Sequence, residues 1–166
     1  PVVTIGGALS EGTITPSGTP AVNGSVYGGG QRGITLGTVA VNMVGGTVSN
    51  DVYGGGALAD TNTGNWDITA NNGAGGWAQG KTSATYTTTV NLTGGTINGT
   101  AYGGGLGSKP TLTNTTAENV PAYVYGDVLV KLNENTNDNC KVLKIHGCNN
   151  LNGSPRGDVT VRVWNT

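Results

Sequence analysis

One pentapeptide returns through this chain and narrows what it can fold into. Val26-Tyr27-Gly28-Gly29-Gly30 recurs as Val52-Tyr53-Gly54-Gly55-Gly56 and as Ala101-Tyr102-Gly103-Gly104-Gly105, with a worn copy at Val124-Tyr125-Gly126-Asp127. A second motif precedes two of the copies at one distance. The second glycine of Gly45-Gly46-Thr47-Val48 stands seven residues before Tyr53, and that of Gly94-Gly95-Thr96-Ile97 seven before Tyr102. Gly6-Gly7-Ala8-Leu9 has the same form, separated from Tyr27 by an insertion through Pro16 and Pro20. Self-similarity of this kind is the mark of an architecture in which each repeat needs its neighbours to bury an apolar face.

The stretches before the glycine pairs alternate apolar and polar residues. Val39, Val41 and Met43 do so, as do Val90 and Leu92, then Val128, Val130 and Leu132, then Val159, Val161 and Val163. Period-two alternation rich in β-branched residues predicts half-buried strands, and no segment shows helical periodicity. The tyrosines supply the spacing: Tyr53 follows Tyr27 by 26 residues, Tyr102 follows Tyr53 by 49, and Tyr125 follows Tyr102 by 23. The 49-residue gap is close to two periods, with Gly75-Gly76-Trp77 near its middle, which predicts a degenerate coil there and a loop-rich rung from Asp60 to Lys81. Matching Gly157-Asp158-Val159 to Gly126-Asp127-Val128 gives a spacing of 31 at the end of the chain. The expected fold is therefore all-β: a right-handed parallel β-helix with coils of about 24 residues, stacked at the ~4.8 Å inter-strand spacing. The competing expectation is an antiparallel β-sandwich, with Asn23-Gly24, Asn98-Gly99 and Asn152-Gly153 as type I′ hairpin turns. The whole of 1–166 reads as one repeat-built domain. It begins without an initiator methionine and closes just after a strand-like run, as a fragment of a longer array would, with any targeting signal outside it.

Composition agrees. Thirty-one glycines are more than an ordinary fold tolerates, since each one inside an element costs roughly 0.5–1 kcal/mol against alanine. A chain keeps that many only where positive φ or close backbone approach is needed repeatedly. Charged residues make up 10% and net charge is −1, so the clustered cations that nucleic acid requires are missing. No apolar run is long enough for a membrane-spanning helix.

The stretches Gly45–Gly56 and Gly94–Gly105 resemble the glycine-rich repeats of large, mostly uncharacterised cell-surface proteins of gut Bacteroidetes. The likeness extends over most of the chain. It implies exposure at the cell surface and an adhesin-like or stalk role, and it brings no catalytic residues.

Tyr27, Tyr53, Tyr102 and Tyr125 recur at one phase and are expected to form a column. If exposed, the column is a stacking platform for sugar rings; if buried, it is a structural ladder, the commoner use. Asp60, Asn62 and Asp67 form an oxygen-rich turn with a loose likeness to a calcium loop, although Asn71 occupies the position where an EF-hand needs an acid. Arg156-Gly157-Asp158 spells an integrin-binding tripeptide, read here as an accident of Arg156 preceding a repeat start. Cys140 and Cys148 could close a small disulfide loop or remain free, and His146 alone between them is too little for a metal site.

Three functional classes follow. The first is a non-catalytic, secreted or surface-exposed structural and adhesive module whose partners are glycans or host and bacterial surface proteins. It would also associate end to end through open strand edges. The second is a carbohydrate-active β-helix enzyme, for which Asp127 and Asp158 are the carboxylates nearest a stacked pair, with little other acid–base equipment beside them. The third is a water-ordering solenoid face built from Thr13 and Thr15, Thr85, Thr87 and Thr89, and Thr111, Thr113 and Thr115. The first is the expectation carried forward.

Overall fold

The computed structural model describes residues 1–165. The chain is all-β. In order it forms β1 (Val2–Ile5), β2 (Gly7–Ser10), β3 (Thr13–Pro16), β4 (Ala21–Val22), β5 (Val26–Tyr27), β6 (Val39–Val48), β7 (Val52–Tyr53), β8 (Trp66–Asp67) and β9 (Gly76–Trp77). The long β10 (Thr88–Tyr102) follows, then β11 (Val128–Leu132), β12 (Lys141–His146) and β13 (Val159–Val163). Nine of these strands share one mainly parallel sheet system that does not close into a barrel.

The four alternating segments seen in the sequence lie side by side. The order β1-β6-β10-β11-β13 is parallel throughout, and it aligns Val3, Val41, Val90, Val130 and Val161 in one column. Ile5, Met43, Leu92, Leu132 and Val163 form the next. A second set of pairings joins β4, the later half of β6, the later half of β10 and β12, stacking Val22, Val48, Ile97 and Val142. A third contact line runs through Thr35, Thr61, Val124 and Pro155. Val39, Val41, Met43, Val48, Val90 and Leu92 are fully buried at the centre. Among the described residues the final strand pairs only with β11, and Val159, Val161 and Val163 stay 39–49% exposed with Trp164 at 77%. Each valine buried at the centre is worth about 1.5–3 kcal/mol relative to leaving it in water.

Two kinds of glycine make the corners. Gly46 and Gly95 hold φ of +80° and +83° and turn the chain within β6 and β10, where the register shifts. Gly28, Gly54 and Gly103 have no such φ. A side chain on any of them would strike a carbonyl on the adjacent pass and the inward side chains behind it, Val39 and Val41 at Gly28, Thr88 and Val90 at Gly54, and Val128 and Val130 at Gly103.

Several expectations need correction. The 24-residue coil does not describe the stack. Val3 pairs with Val41, Val41 with Val90, Val90 with Val130 and Val130 with Val161, so the recurrence varies from 31 to 49 residues along this line. No degenerate coil lies between Tyr53 and Tyr102, which pair directly. Thr61–Gly64 runs beside Thr35 and Leu36. From there the chain leaves the sheet as the antiparallel β8–β9 pair around Trp66 and Trp77. The sandwich is also excluded as the main architecture. Asn98-Gly99 lies inside β10, and the one hairpin near the start turns at Glu11-Gly12, both with positive φ, between β2 and β3. The Gly126-Asp127-Val128 to Gly157-Asp158-Val159 match, by contrast, is the register in use, since Val128 pairs with Val159.

Candidate functional site

Three of the four phased tyrosines form the expected column. Tyr27 and Tyr53 stack with ring centroids 4.8 Å apart, and Tyr53 and Tyr102 at 4.9 Å, with 6° between planes in each pair. The fourth member is not Tyr125 but His146, 5.3 Å from Tyr102 with 14° between the ring planes. The reason is register: β12 pairs with the later half of β10 and sets His146 opposite Tyr102. Ile145-His146-Gly147 matches Ala101-Tyr102-Gly103 in form, a signal the tyrosine count alone passes over.

The column is buried at Tyr53 and opens toward its end at the exposed His146. Tyr53 is 1% exposed, and its hydroxyl donates to Asp51 Oδ2 at 3.1 Å and accepts from Asn150 Nδ2 at 2.8 Å. Burial raises its phenol far above the ordinary range, with the nearby Asp51 charge adding to the effect. Tyr27 and Tyr102 are half-buried, and burial raises Tyr27 in the same direction. Tyr53 and Tyr102, each locked between two rings, have no face left for a sugar, whereas Tyr27 and His146 end the stack with a ring on one side only.

Tyr125 belongs to a separate aromatic cluster. Its ring lies 5.1 Å from Trp66 and 6.0 Å from Tyr123, and Trp66 meets Trp77 edge to face at 5.2 Å. The Arg156 guanidinium sits over the group, 4.8 Å from the Tyr123 ring centre and 5.6 Å from that of Trp66. Asp60 is at the base, accepting the Tyr123 amide hydrogen at 2.8 Å. Burial raises the Asp60 carboxyl, and the Tyr123 amide and the Arg156 charge offset part of that rise. The elements explain the gathering: the β8–β9 excursion brings both tryptophans, and the Val124–Pro155 contact brings Tyr123, Tyr125 and Arg156. Sequence reasoning treated Trp77 only as a landmark, because a long-range cluster has no periodic trace.

The other singled-out residues serve the fold. Asn62 is fully buried at φ +57°. Its amide donates to the Gly37 and Thr87 carbonyls, and its Oδ1 accepts from the Thr88 hydroxyl at 2.8 Å. Asn65 likewise donates to the carbonyls of Tyr86 and Tyr125. Asp67 accepts from the hydroxyl and backbone N–H of Thr69, which hold its carboxyl below the usual range. Asp60, Asn62 and Asp67 thus each have a separate occupation, and among the described residues no three His, Cys, Asp or Glu side chains gather as a metal set. Cys140 and Cys148 are both free, the first buried and the second exposed.

Asp127 and Asp158 line a groove of about 330 Å³ together with Thr87, Thr89, Thr160 and Arg162. Asp127 Oδ1 accepts the Asp158 amide hydrogen at 2.8 Å, so this carboxylate ties two neighbouring passes together. In the tripeptide 156–158, therefore, Arg156 faces aromatic rings while the Asp158 amide is bonded to Asp127. The threonine runs do not share a face: Thr13 and Thr15 lie in the β2–β3 hairpin, and Thr111, Thr113 and Thr115 lie outside any strand. No helix among the described residues is long and apolar enough to cross a membrane. Compared with protein families, curated proteins and solved structures, the chain matches none.

Proposed function

We propose that the chain is part of a β-solenoid: a non-catalytic structural and adhesive module of a secreted or surface-anchored glycine-rich protein, of the kind its repeats resemble. The observation that carries this reading is the Tyr27-Tyr53-Tyr102-His146 stack beside continuous columns of valine. The repeated residues are spent on joining one pass to the next, which suits a rigid spacer that displays variable excursions. The two carboxylates of the Asp127 groove do not alter it, because one of them is engaged with backbone. The bare outer edge of β13, with Val159, Val161 and Val163 exposed, further supports end-to-end association.

The test is incubation with a panel of plant, bacterial and host polysaccharides, measuring both new reducing or unsaturated chain ends and retention of the protein. Retention without new ends supports an adhesive module. New ends that disappear in Asp127→Asn would replace it with the carbohydrate-active reading.

A further inference from the structure

We propose that Arg156 and the aromatic cluster beneath it form a binding site for anionic polysaccharide, in which the guanidinium takes a sugar carboxylate or sulfate and Trp77 receives the adjoining ring. This deepens the adhesive reading above and rests on it. Arg156 is exposed, and its guanidinium makes no hydrogen bond or ion pair with any described residue. Its fork of N–H donors is nonetheless held in place. Two aromatic rings lie beneath it, and its backbone N–H is bonded to the Val124 carbonyl at 2.8 Å. Surface arginines usually spend their donors on water from a mobile stem; one oriented by cation–π contacts loses less freedom when an oxyanion arrives. Asp60, whose carboxyl feels the Arg156 charge, is turned to the Tyr123 amide and makes no ion pair with Arg156.

The neighbourhood selects a sugar rather than a bare anion. Trp77 stands edge to face against Trp66, which itself underlies Arg156, and is 41% exposed; Ile68, directly after β8, is 75% exposed. The apolar C–H face of a pyranose fits an exposed indole, while a charged substituent on the same or next residue reaches the guanidinium as a planar, two-pronged pair. Net charge is −1, so no overall positive field gathers polyanions.

Affinity electrophoresis and calorimetry with polygalacturonate, dextran sulfate and neutral dextran test the assignment. Retention by at least one of the two charged polymers and not by neutral dextran is expected, and which of them retains the protein identifies carboxylate or sulfate. Arg156→Gln should weaken that binding about 10- to 100-fold. Arg156→Lys should recover only part of it, because an ammonium lacks the planar fork. Trp77→Ala should weaken it too, whereas Lys109→Gln, which removes the same charge from the exposed 109–119 loop, should not. Absence of retention on both charged polymers overturns the proposal, as does an equal loss in Lys109→Gln and Arg156→Gln, with circular dichroism confirming that each variant is folded. Release of chain ends in the polysaccharide panel would instead count against the non-catalytic reading, so the two failures are separable.

Discussion

Replacing Gly103 by alanine isolates the role of the glycine corners. A Cβ there would strike the Gly147 carbonyl oxygen and Val128 Cγ1, and would come within 2.8 Å of Val130 Cγ2. None of these can yield easily. Val128 and Val130 are 1% and 0% exposed, and moving the strand away stretches the bond from the Gly103 amide to the His146 carbonyl, now 2.9 Å. The backbone at Gly103 is not left-handed, so the cost is steric alone. Overpacking a closed site typically costs about 1–3 kcal/mol, and two blocked directions place this change at about 2–3. Gly33 provides the opposite case: a Cβ there meets nothing within 4 Å, and its φ is also unexceptional. Gly33→Ala should stabilise by about 0.4–1 kcal/mol by restricting the unfolded chain. In a chain of this length about 1 kcal/mol moves Tm by 2–4 °C, so the two variants should melt roughly 5–15 °C apart. Urea and thermal unfolding followed by tryptophan fluorescence would measure this. If Gly103→Ala lies within about 0.5 kcal/mol of the parent at unchanged m-value, the corner has room to spare and the reason given for these glycines is wrong.

Three further outcomes follow from single side chains. Burial pushes the Cys140 thiol up to about 12 while Cys148 is exposed, so a thiol reagent at pH 8 should modify Cys148 promptly and reach Cys140 only on unfolding, as peptide mass mapping would show. Asn62→Ala strands the Gly37 carbonyl and the Thr88 hydroxyl and leaves the Thr87 carbonyl with the Val39 amide alone, and should cost roughly 2–4 kcal/mol in urea titration, against nearly nothing for the fully exposed Leu112→Ala. The Thr69 hydroxyl and amide lower the Asp67 carboxyl in the folded state. Its contribution is therefore present above the unfolded value of about 3.9 and lost as pH falls through the lower folded value. Asp67→Asn should flatten that part of a Tm-against-pH curve, and an unchanged acid slope would refute the assignment.

The strands that carry the core were legible because their burial follows a period of two. Val128, Val130 and Leu132 point inward as alternation requires, and the same holds for Val39, Val41 and Met43. The spacing was misread because tyrosine is not the only flat side chain that can occupy the stack. Once His146 takes Tyr125's place, the 23-residue interval loses its meaning, and the 49-residue interval is one pass carrying an excursion. The aromatic cluster was not legible for a different reason. Trp66, Tyr123 and Arg156 come from distant parts of the chain, and only the Thr61-Val124-Pro155 line brings them together.

Repetition also brings a hazard. Three near-identical pentapeptides would permit Tyr27 to settle on Tyr102, extruding one whole pass while preserving the aromatic pile and its glycine corner. Asn62 and Asn65 oppose that slip. Their amides reach carbonyls of Gly37, Tyr86, Thr87 and Tyr125, which belong to successive passes, and no other part of the described chain presents the same quartet around buried asparagines. A slipped chain would leave both amides enclosed and unanswered. The alike residues give the stack its cohesion, and the two unlike ones number its storeys.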